Sequence, residues 1–558
     1  MVMKNSLKIF VLIIFLTAGS CKRAFLDEKP LDFTSTTNSF NTLKDFNASI
    51  YNIYNIVRTE FYTSDENNPF DYIYGLDLVY DGQPSGPQRF SNYTTSTNPT
   101  STYLVSHWSR LYKIISESNT ILDKLGSSQV VSNDITFVQA NARFFRGFAY
   151  RTLAYLYGGV PIELHQVTSP KTDYVRASRE EVLKQSIEDL KFAAGNLPSI
   201  TTVQEGQISN VAAQHLLAEV YLAAGQFNDA VSTASLVINN SNMALMKTRF
   251  GSQATDPGDV YWDLFRPKNQ NRTSGNKESI WVIQFENDIP GGSSTATDIA
   301  GSYRLERQIA PLIRDVTLSN GTKPFLWPVS DYTGGRGIGW AISTTYFSNT
   351  IWASDFNNDM RNSNFNFVRT YVYNDPGKTA YFGKTVSTEA PPAGVTVPSR
   401  AFYAYQSKCT TPGKHPDGLF SNKATLLLSP AAGGTYTDQY MFRLAETYLI
   451  RAEAYLSTGD KTKAAEDINA IRSRANASPV LEGNVTINYI LDERMRELGI
   501  EEKRRLTLSR LNMVYERTVN IAKNPLAANI QPFNNLWPIP QREIERNKDA
   551  ILTQNPGY

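Results

Sequence analysis

The stretch FRLAETYLIRAEAYLSTGDKTKAAEDINAIRSRAN, residues 442 to 476, has the apolar spacing of two successive helices. Phe442, Ala445, Leu449, Ala452 and Leu456 step by three or four and draw one apolar stripe, which is the period of an amphipathic helix. Gly459 and Asp460 break the stripe, and Ala464, Ile468 and Ile471 begin a second one. Glycine suits the break because it enters left-handed backbone geometry without a Cβ clash. Neither stripe can be buried by its own helix, so each helix needs a partner and the segment predicts a helical hairpin.

The frame recurs upstream. AEVYLAAGQFNDA places Ala218, Tyr221, Gly225 and Ala230 at the same spacing as Ala452, Tyr455, Gly459 and Ala464 in AEAYLSTGDKTKA. Small residues let two helices approach, the tyrosine fills the groove between them, and the glycine ends the first helix. This resembles the tetratricopeptide repeat. YLYGGVP adds a partial third copy through Tyr155 and Gly159, at the end of a helix whose Phe145, Ala149, Leu153 and Leu156 keep helical spacing.

Outward from these repeats the texture is uneven. Helical periodicity dominates residues 41–250 and returns in 436–558, where a C-terminal helical part ends in a tail. Between them, residues 251–435 interleave Gly, Pro, Ser, Thr and Asn with aromatics and strand-like pieces such as SIWVIQF (279–285) and FNFVRTYVY (365–373). A segment of that length without order is improbable inside a compact domain, so an ordered, loop-rich subdomain packed on the helices is expected. The fold class that follows is mainly α, a tetratricopeptide-like helical-hairpin platform with a loop-rich aromatic subdomain inserted.

The N-terminus is of a different kind. Lys4 and Lys8 precede the apolar run Ile9 to Leu16, and Thr17, Ala18, Gly19 and Ser20 are small, which is the layout of a secretory signal over residues 1–20. The apolar run is too short to span a bilayer, which takes about 20 residues. Small residues directly before Cys21 resemble the bacterial lipobox, and Cys21 is then the lipid attachment point, followed by a polar tether over residues 21–40. Lipidation of Cys21 leaves Cys409, the second of two cysteines, without an intrachain disulfide partner. Cys409 is expected to be a small packed residue.

Composition narrows the function. The net charge is +2, from 55 basic and 53 acidic residues without a long run of either sign, so no electrostatic footprint for nucleic acid is present. His107, His165, His215 and His415 are far apart in sequence, without HExxH or paired cysteines, and no metal or cofactor is expected. Ser274 and Lys277 form an SxxK without its companion motifs. GGRGIGW (334–340) has the glycine density of a phosphate loop but no lysine or following helix, and is read as a flexible turn. Arg143, Arg146 and Arg151 share a helix with aromatics, while Arg494, Arg496, Arg504 and Arg505 alternate with Glu493, Glu497, Glu501 and Glu502; both patterns predict helix-face ion pairs. Trp108 and Trp262 have neighbours that place them in the core.

Aromatic residues make up 12% of the chain, including 30 tyrosines. A sugar ring offers a face of C–H bonds to an aromatic ring and a rim of hydroxyls to amides, carboxylates and guanidinium groups. Two loop segments combine those chemistries. LVYDGQPSGPQRFSNY supplies Tyr80, Asp81, Gln83, Arg89, Asn92 and Tyr93; FLWPVSDYTGGRGIGWAISTTYF supplies Trp327, Asp331, Tyr332, Arg336, Trp340 and Tyr346.

Five segments, in order along nearly the whole chain, resemble the SusD/RagB family of Bacteroidetes surface lipoproteins. They are CKRAFLDEKP, ARFFRGFAYRTLAYLYGGVPI, FRLAETYLIRAEAYLSTGDKTKAAEDINAIRSRAN, ERMRELGIEEKRRLTLSR and LWPIPQREIERNKDAILTQNPGY. The resemblance implies a helical platform bearing a loop-built ligand face in these two regions. It implies a non-catalytic protein, lipid-anchored at the outer membrane and facing the cell surface, that delivers an oligosaccharide to a SusC-like TonB-dependent transporter. A peptide ligand, as in RagB-like uptake, is the alternative, and a polysaccharide hydrolase a remote one.

Overall fold

The computed structural model describes residues 40–62, 72–83, 92–286, 289, 303–328, 330–331, 335–409 and 413–558. Cys21, Arg89 and Tyr332 lie outside these residues. The first half of the chain is a succession of helices: α1 (Leu43–Tyr62), α2 (Thr102–Leu125), α3 (Ser132–Tyr157), α4 (Arg179–Asn196), α5 (Asn210–Ala223) and α6 (Phe227–Ile238). From α2 onward each packs on the next. The chain returns as α7 (Leu444–Ser457), which packs on α6, and α8 (Lys461–Arg474), followed by α9 (Ile487–Leu498) and α10 (Arg504–Arg510).

Local chemistry explains the boundaries. Ser178 accepts from the Glu181 amide at 3.2 Å and Glu181 accepts from the Ser178 amide at 2.7 Å, a capping box that opens α4. Asp460 caps α8 by accepting from the Lys463 amide at 3.0 Å. The two repeats are the hairpins α5–α6 and α7–α8, and their glycines take φ of +74° at Gly225 and +85° at Gly459. A Cβ at either position would meet nothing within 4 Å, so backbone conformation rather than crowding selects glycine there.

Most of α3 is buried and forms the centre of the platform. Trp281 packs edge-on against its Phe144, Phe145 and Phe148, with ring centroids 5.6–6.1 Å away. Trp281 lies on a strand, Ser279–Ile283, that pairs antiparallel with Gln439–Arg443 immediately before α7. The expected SIWVIQF strand thus anchors the loop-rich part to the helices. Trp108 and Trp262 are buried, as their neighbours predicted, and Cys409 is packed in the core.

The basic clusters are structural, but their partners lie mainly on other elements rather than on the same helix face. Arg146 of α3 forms two 2.8 Å bonds to Asp189 of α4, Arg151 bonds Glu219 of α5, and Arg143 stacks on Phe192 at 4.3 Å. In the ERMRELGIEEKRRLTLSR segment, Glu493 receives Arg361, Arg472 and Arg496, while Glu497 receives Arg361, Arg443 and Arg474. Buried side chains projecting from one helix reach neighbouring elements before their own sequence neighbours; only the Arg496–Glu493 pair has the i,i+3 spacing expected from one face. Two further arginines, Arg504 and Arg517, converge on fully buried Asp77 at 2.6 and 3.1 Å. That junction fixes the start of the early loop region from the C-terminal helices.

Candidate functional site

Asp77 sits just before strand β1 (Val79–Asp81), which pairs antiparallel with β2 (Ala341–Ser343). Tyr80 lies opposite Ile342 and Asp81 opposite Ala341. The pairing is extended by the Gly82 amide, which donates to Trp340 O at 2.8 Å, and is closed by Thr344, whose hydroxyl donates to Asp77 O at 2.7 Å. The two loop regions singled out in the sequence, some 260 residues apart, therefore form one ribbon.

The glycine-rich run behind it is held in place rather than being a flexible turn. Ile338 N–H donates to Arg307 O, Gly339 N–H to Ala310 O and Trp340 N–H to Gln308 O, at 2.9, 2.9 and 3.1 Å. A Cβ on Gly337 would come within 2.2 Å of Ala310 O; on Gly339, whose φ is +62°, one would come within 2.3 Å of Arg400 O. Glycine permits close backbone approach here, a use that phosphate-loop density alone does not distinguish.

Arginines gather on this run. Arg314 donates to Gly337 O at 3.2 Å and Arg400 to Ile338 O at 2.7 Å, while Arg336 and Arg307 flank it. The Arg314 guanidinium lies 4.8 Å from the ring centroid of Trp327, whose side chain is 63% exposed. An exposed indole held flat by a guanidinium is a rigid platform. Burial lowers the Arg336 pKa to about 10, and the nearby charges of Arg314 and Arg307 add to this. Burial also lowers Arg314, with Arg400 and Arg307 contributing in the same direction against Asp315. Nε of Arg314 and both Nε and Nη1 of Arg336 find no acceptor among the described residues.

Of the predicted site residues, Tyr80, Asp81 and Trp340 meet at the ribbon, next to the run that carries Arg336. Tyr80 is half-buried and burial raises its hydroxyl to about 12. Asp81 is raised by burial, against the Gln83 amide bond and the charge of Arg400. Trp327 belongs to the same assembly through Arg314. Others are structural. Tyr93 is 1% exposed and donates to Gly75 O at 2.7 Å, and Asn92 caps the short turn Tyr93–Ser96. Asp331 is fully buried, 2.7 Å from His415 Nδ1, while Glu306 holds His415 Nε2 at 2.6 Å. Burial favours neutral His415, but the two carboxylates outweigh it and raise its pKa well above the usual value. Tyr346 donates to Asp492, and its ring lies 5.4 Å from the Arg517 guanidinium.

Arg307, Arg314 and Arg400 were not singled out from sequence. The available signal was arginine in Gly- and Pro-bearing loops without periodic acidic neighbours.

Two other features bear on chemistry. A cavity of about 1040 Å³ opens between α1 and the loop-rich part, lined by Tyr51, Arg58, Gln204, Gln284 and Asp438 among others, with Glu306 between it and the arginines. Burial pushes Asp438 up to about 6, against bonds from the Phe285 amide and Asn271. His215, Glu219 and Glu446 also come within ligating distance of one another. Arg151 bonds Glu219 and Arg494 bonds Glu446, which puts positive charge beside the oxygens a cation would use. This grouping is a junction of ion pairs.

Comparison with known proteins places the fold. The model of the SusD family matches residues 277–558, and a model described as starch-binding, associating with outer membrane, matches residues 24–222. SusD-like protein P2 of Formosa agariphila is 26% identical over 99% of both chains. Among solved structures, a laminarin binding SusD-like protein is 22% identical with a TM-score of 0.66, covering 93% of this chain and 100% of that one. Surface glycan-binding protein A from Bacteroides thetaiotaomicron, in complex with laminarihexaose, is 17% identical with a TM-score of 0.67 over 92% and 100%. The overall fold thus has its counterpart among solved structures, and this chain belongs to the SusD family.

Proposed function

We propose that the protein is a non-catalytic binding protein that captures an oligosaccharide on the ribbon face and passes it to a SusC-like TonB-dependent outer-membrane transporter. The observation that carries this reading is the union of β1 and β2, which joins Tyr80, Asp81 and Trp340 in one ribbon, linked through Gly337 O and Arg314 to the exposed indole of Trp327. An indole face suits the C–H face of a sugar, and the surrounding carboxylate and guanidinium groups suit its hydroxyls. Several such contacts along an oligomer add up, so longer chains bind better than single sugars. Family membership supports a binding role, and the laminarin and laminarihexaose ligands of the similar structures support a glycan. The signal and Cys21 support attachment to the outer membrane by lipid, with the ribbon face presented outward.

Affinity electrophoresis of the purified protein in gels containing polysaccharides tests the reading. Retardation by a glycan, without cleavage of it, is expected. Absence of retardation by every polysaccharide, together with binding of a peptide mixture, would replace it with peptide uptake; shortening of the polymer would replace it with hydrolysis.

A further inference from the structure

The ribbon face rests on an excess of positive charge that a neutral sugar would not require. Arg314, Arg336 and Arg400 meet at the short run of residues 335–340, where the side chains of Arg314 and Arg400 donate to the carbonyl oxygens of Gly337 and Ile338 and the Arg336 amide donates to Glu306. Arg314 is only 8% exposed, yet its Nε has no acceptor among the described residues; Arg336 has two such nitrogens. Buried guanidinium groups that repel one another and keep spare donors are costly unless a negative charge joins them. The nearest acids, which partly offset these charges, are also bonded elsewhere. Glu306 accepts from the Arg336 amide and from His415, Asp315 lies within 3.5 Å of Lys323, and Asp81 accepts from the Gln83 amide. Guanidinium is also the side chain best matched to planar or tetrahedral oxyanions, because it offers paired parallel N–H groups.

The geometry points to an acidic oligosaccharide as the ligand class, with a carboxylate or sulfate group seated between Arg314 and Arg336 while a neighbouring sugar ring stacks on Trp327. The inference rests on the glycan reading above and specifies its substrate. The shared chemistry is an oxyanion on a sugar; carboxylated and sulfated polymers are the two sources.

The test is affinity electrophoresis of the wild-type protein, Arg336→Gln and Arg314→Gln in gels containing a neutral glucan, a polyuronate, a sulfated galactan or dextran sulfate, with melting curves for each variant. Arg336 is half-buried, so Arg336→Gln is the deciding variant should Arg314→Gln fail to fold. The expected result is stronger retention of wild type by the polyuronate or the sulfated galactan than by the neutral glucan. Retention of Arg336→Gln by that acidic polymer should be about tenfold weaker, the loss of roughly one charge-assisted contact. Whichever acidic gel shows the effect identifies the anion.

Equal retention of wild type and both arginine variants in every acidic gel, dextran sulfate included, would assign the effect to general surface charge and overturn the inference. Retention by neutral glucan alone, unchanged in Arg336→Gln, would overturn it while leaving the glycan reading standing. No retention of wild type in any gel would overturn both.

Discussion

Two sets of arginines are treated in opposite ways by this fold. Arg361, Arg443 and Arg474 arrive from three separate segments and converge on Glu497, with every side chain in the group fully buried. Arg314, Arg336 and Arg400 converge on residues 335–340, where the contacts are carbonyl oxygens and an indole. In the first set the chain supplies its own countercharge, and the arginines lock α7, α8 and α9 to the loop-rich part. In the second, among the described residues, the Arg314 and Arg400 guanidinium groups take carbonyl oxygens and an indole in place of a shared carboxylate. The difference teaches that burial alone does not mark an arginine as structural; the identity of its acceptor does.

Breaking the paired set should have the largest effect. Glu497→Gln removes the charge shared by three buried guanidinium groups and is expected to cost about 3–5 kcal/mol, read as a fall in the midpoint of a urea or thermal unfolding curve. An unchanged midpoint would mean that the network does not hold the platform together.

Acid should act on the same network. Burial favours protonated Glu493 and Glu446, but Arg361 with Arg496 and Arg472 for Glu493, and His215 and Arg494 for Glu446, outweigh it and lower both to about 2. A carboxylate whose folded pKa lies below its unfolded value of about 4.3 stabilises the fold above that value and loses this contribution as pH falls towards 2. A pH series of thermal melts should therefore show stability declining between about pH 4.5 and 2. Asp438 runs the other way: raised to about 6, it favours the fold most below about pH 4 and loses that contribution as pH rises through 6. Asp438→Asn should flatten this second, smaller trend.

The unpaired set predicts the reverse sign. Arg336→Gln removes a partly buried charge that forms no ion pair among the described residues, so stability should stay level or rise by up to about 1 kcal/mol. Opposite responses to Glu497→Gln and Arg336→Gln in the same unfolding assay would sharpen the comparison; parallel losses would erase it.

The platform was legible because helical period, capping residues and hairpin glycines act locally. Gly225 and Gly459 do in the structure what their spacing implies. Charge partners were not legible, since Asp77 meets Arg504 across more than 400 residues of chain and no local pattern encodes that distance. For the same reason the two loop regions could be chosen by composition, but their joining by the Tyr80–Ile342 register could not be seen. Tyr93 and Asp331 show the limit of composition, for both carry the right chemistry and both are spent on packing. Arg314 and Arg400 show the converse, being unremarkable in sequence and central once residues 335–340 are folded.

The most direct test of the ribbon face is a titration of wild type and Trp327→Ala with a retained oligosaccharide by isothermal calorimetry, alongside Tyr51→Ala at the large cavity. Trp327 is exposed, so its removal should leave the melting temperature unchanged while weakening binding by about 1–2 kcal/mol, roughly tenfold, and Tyr51→Ala should bind as wild type does. Undiminished binding by Trp327→Ala, with the loss appearing instead in Tyr51→Ala, would move the site from the ribbon to the cavity and contradict the account.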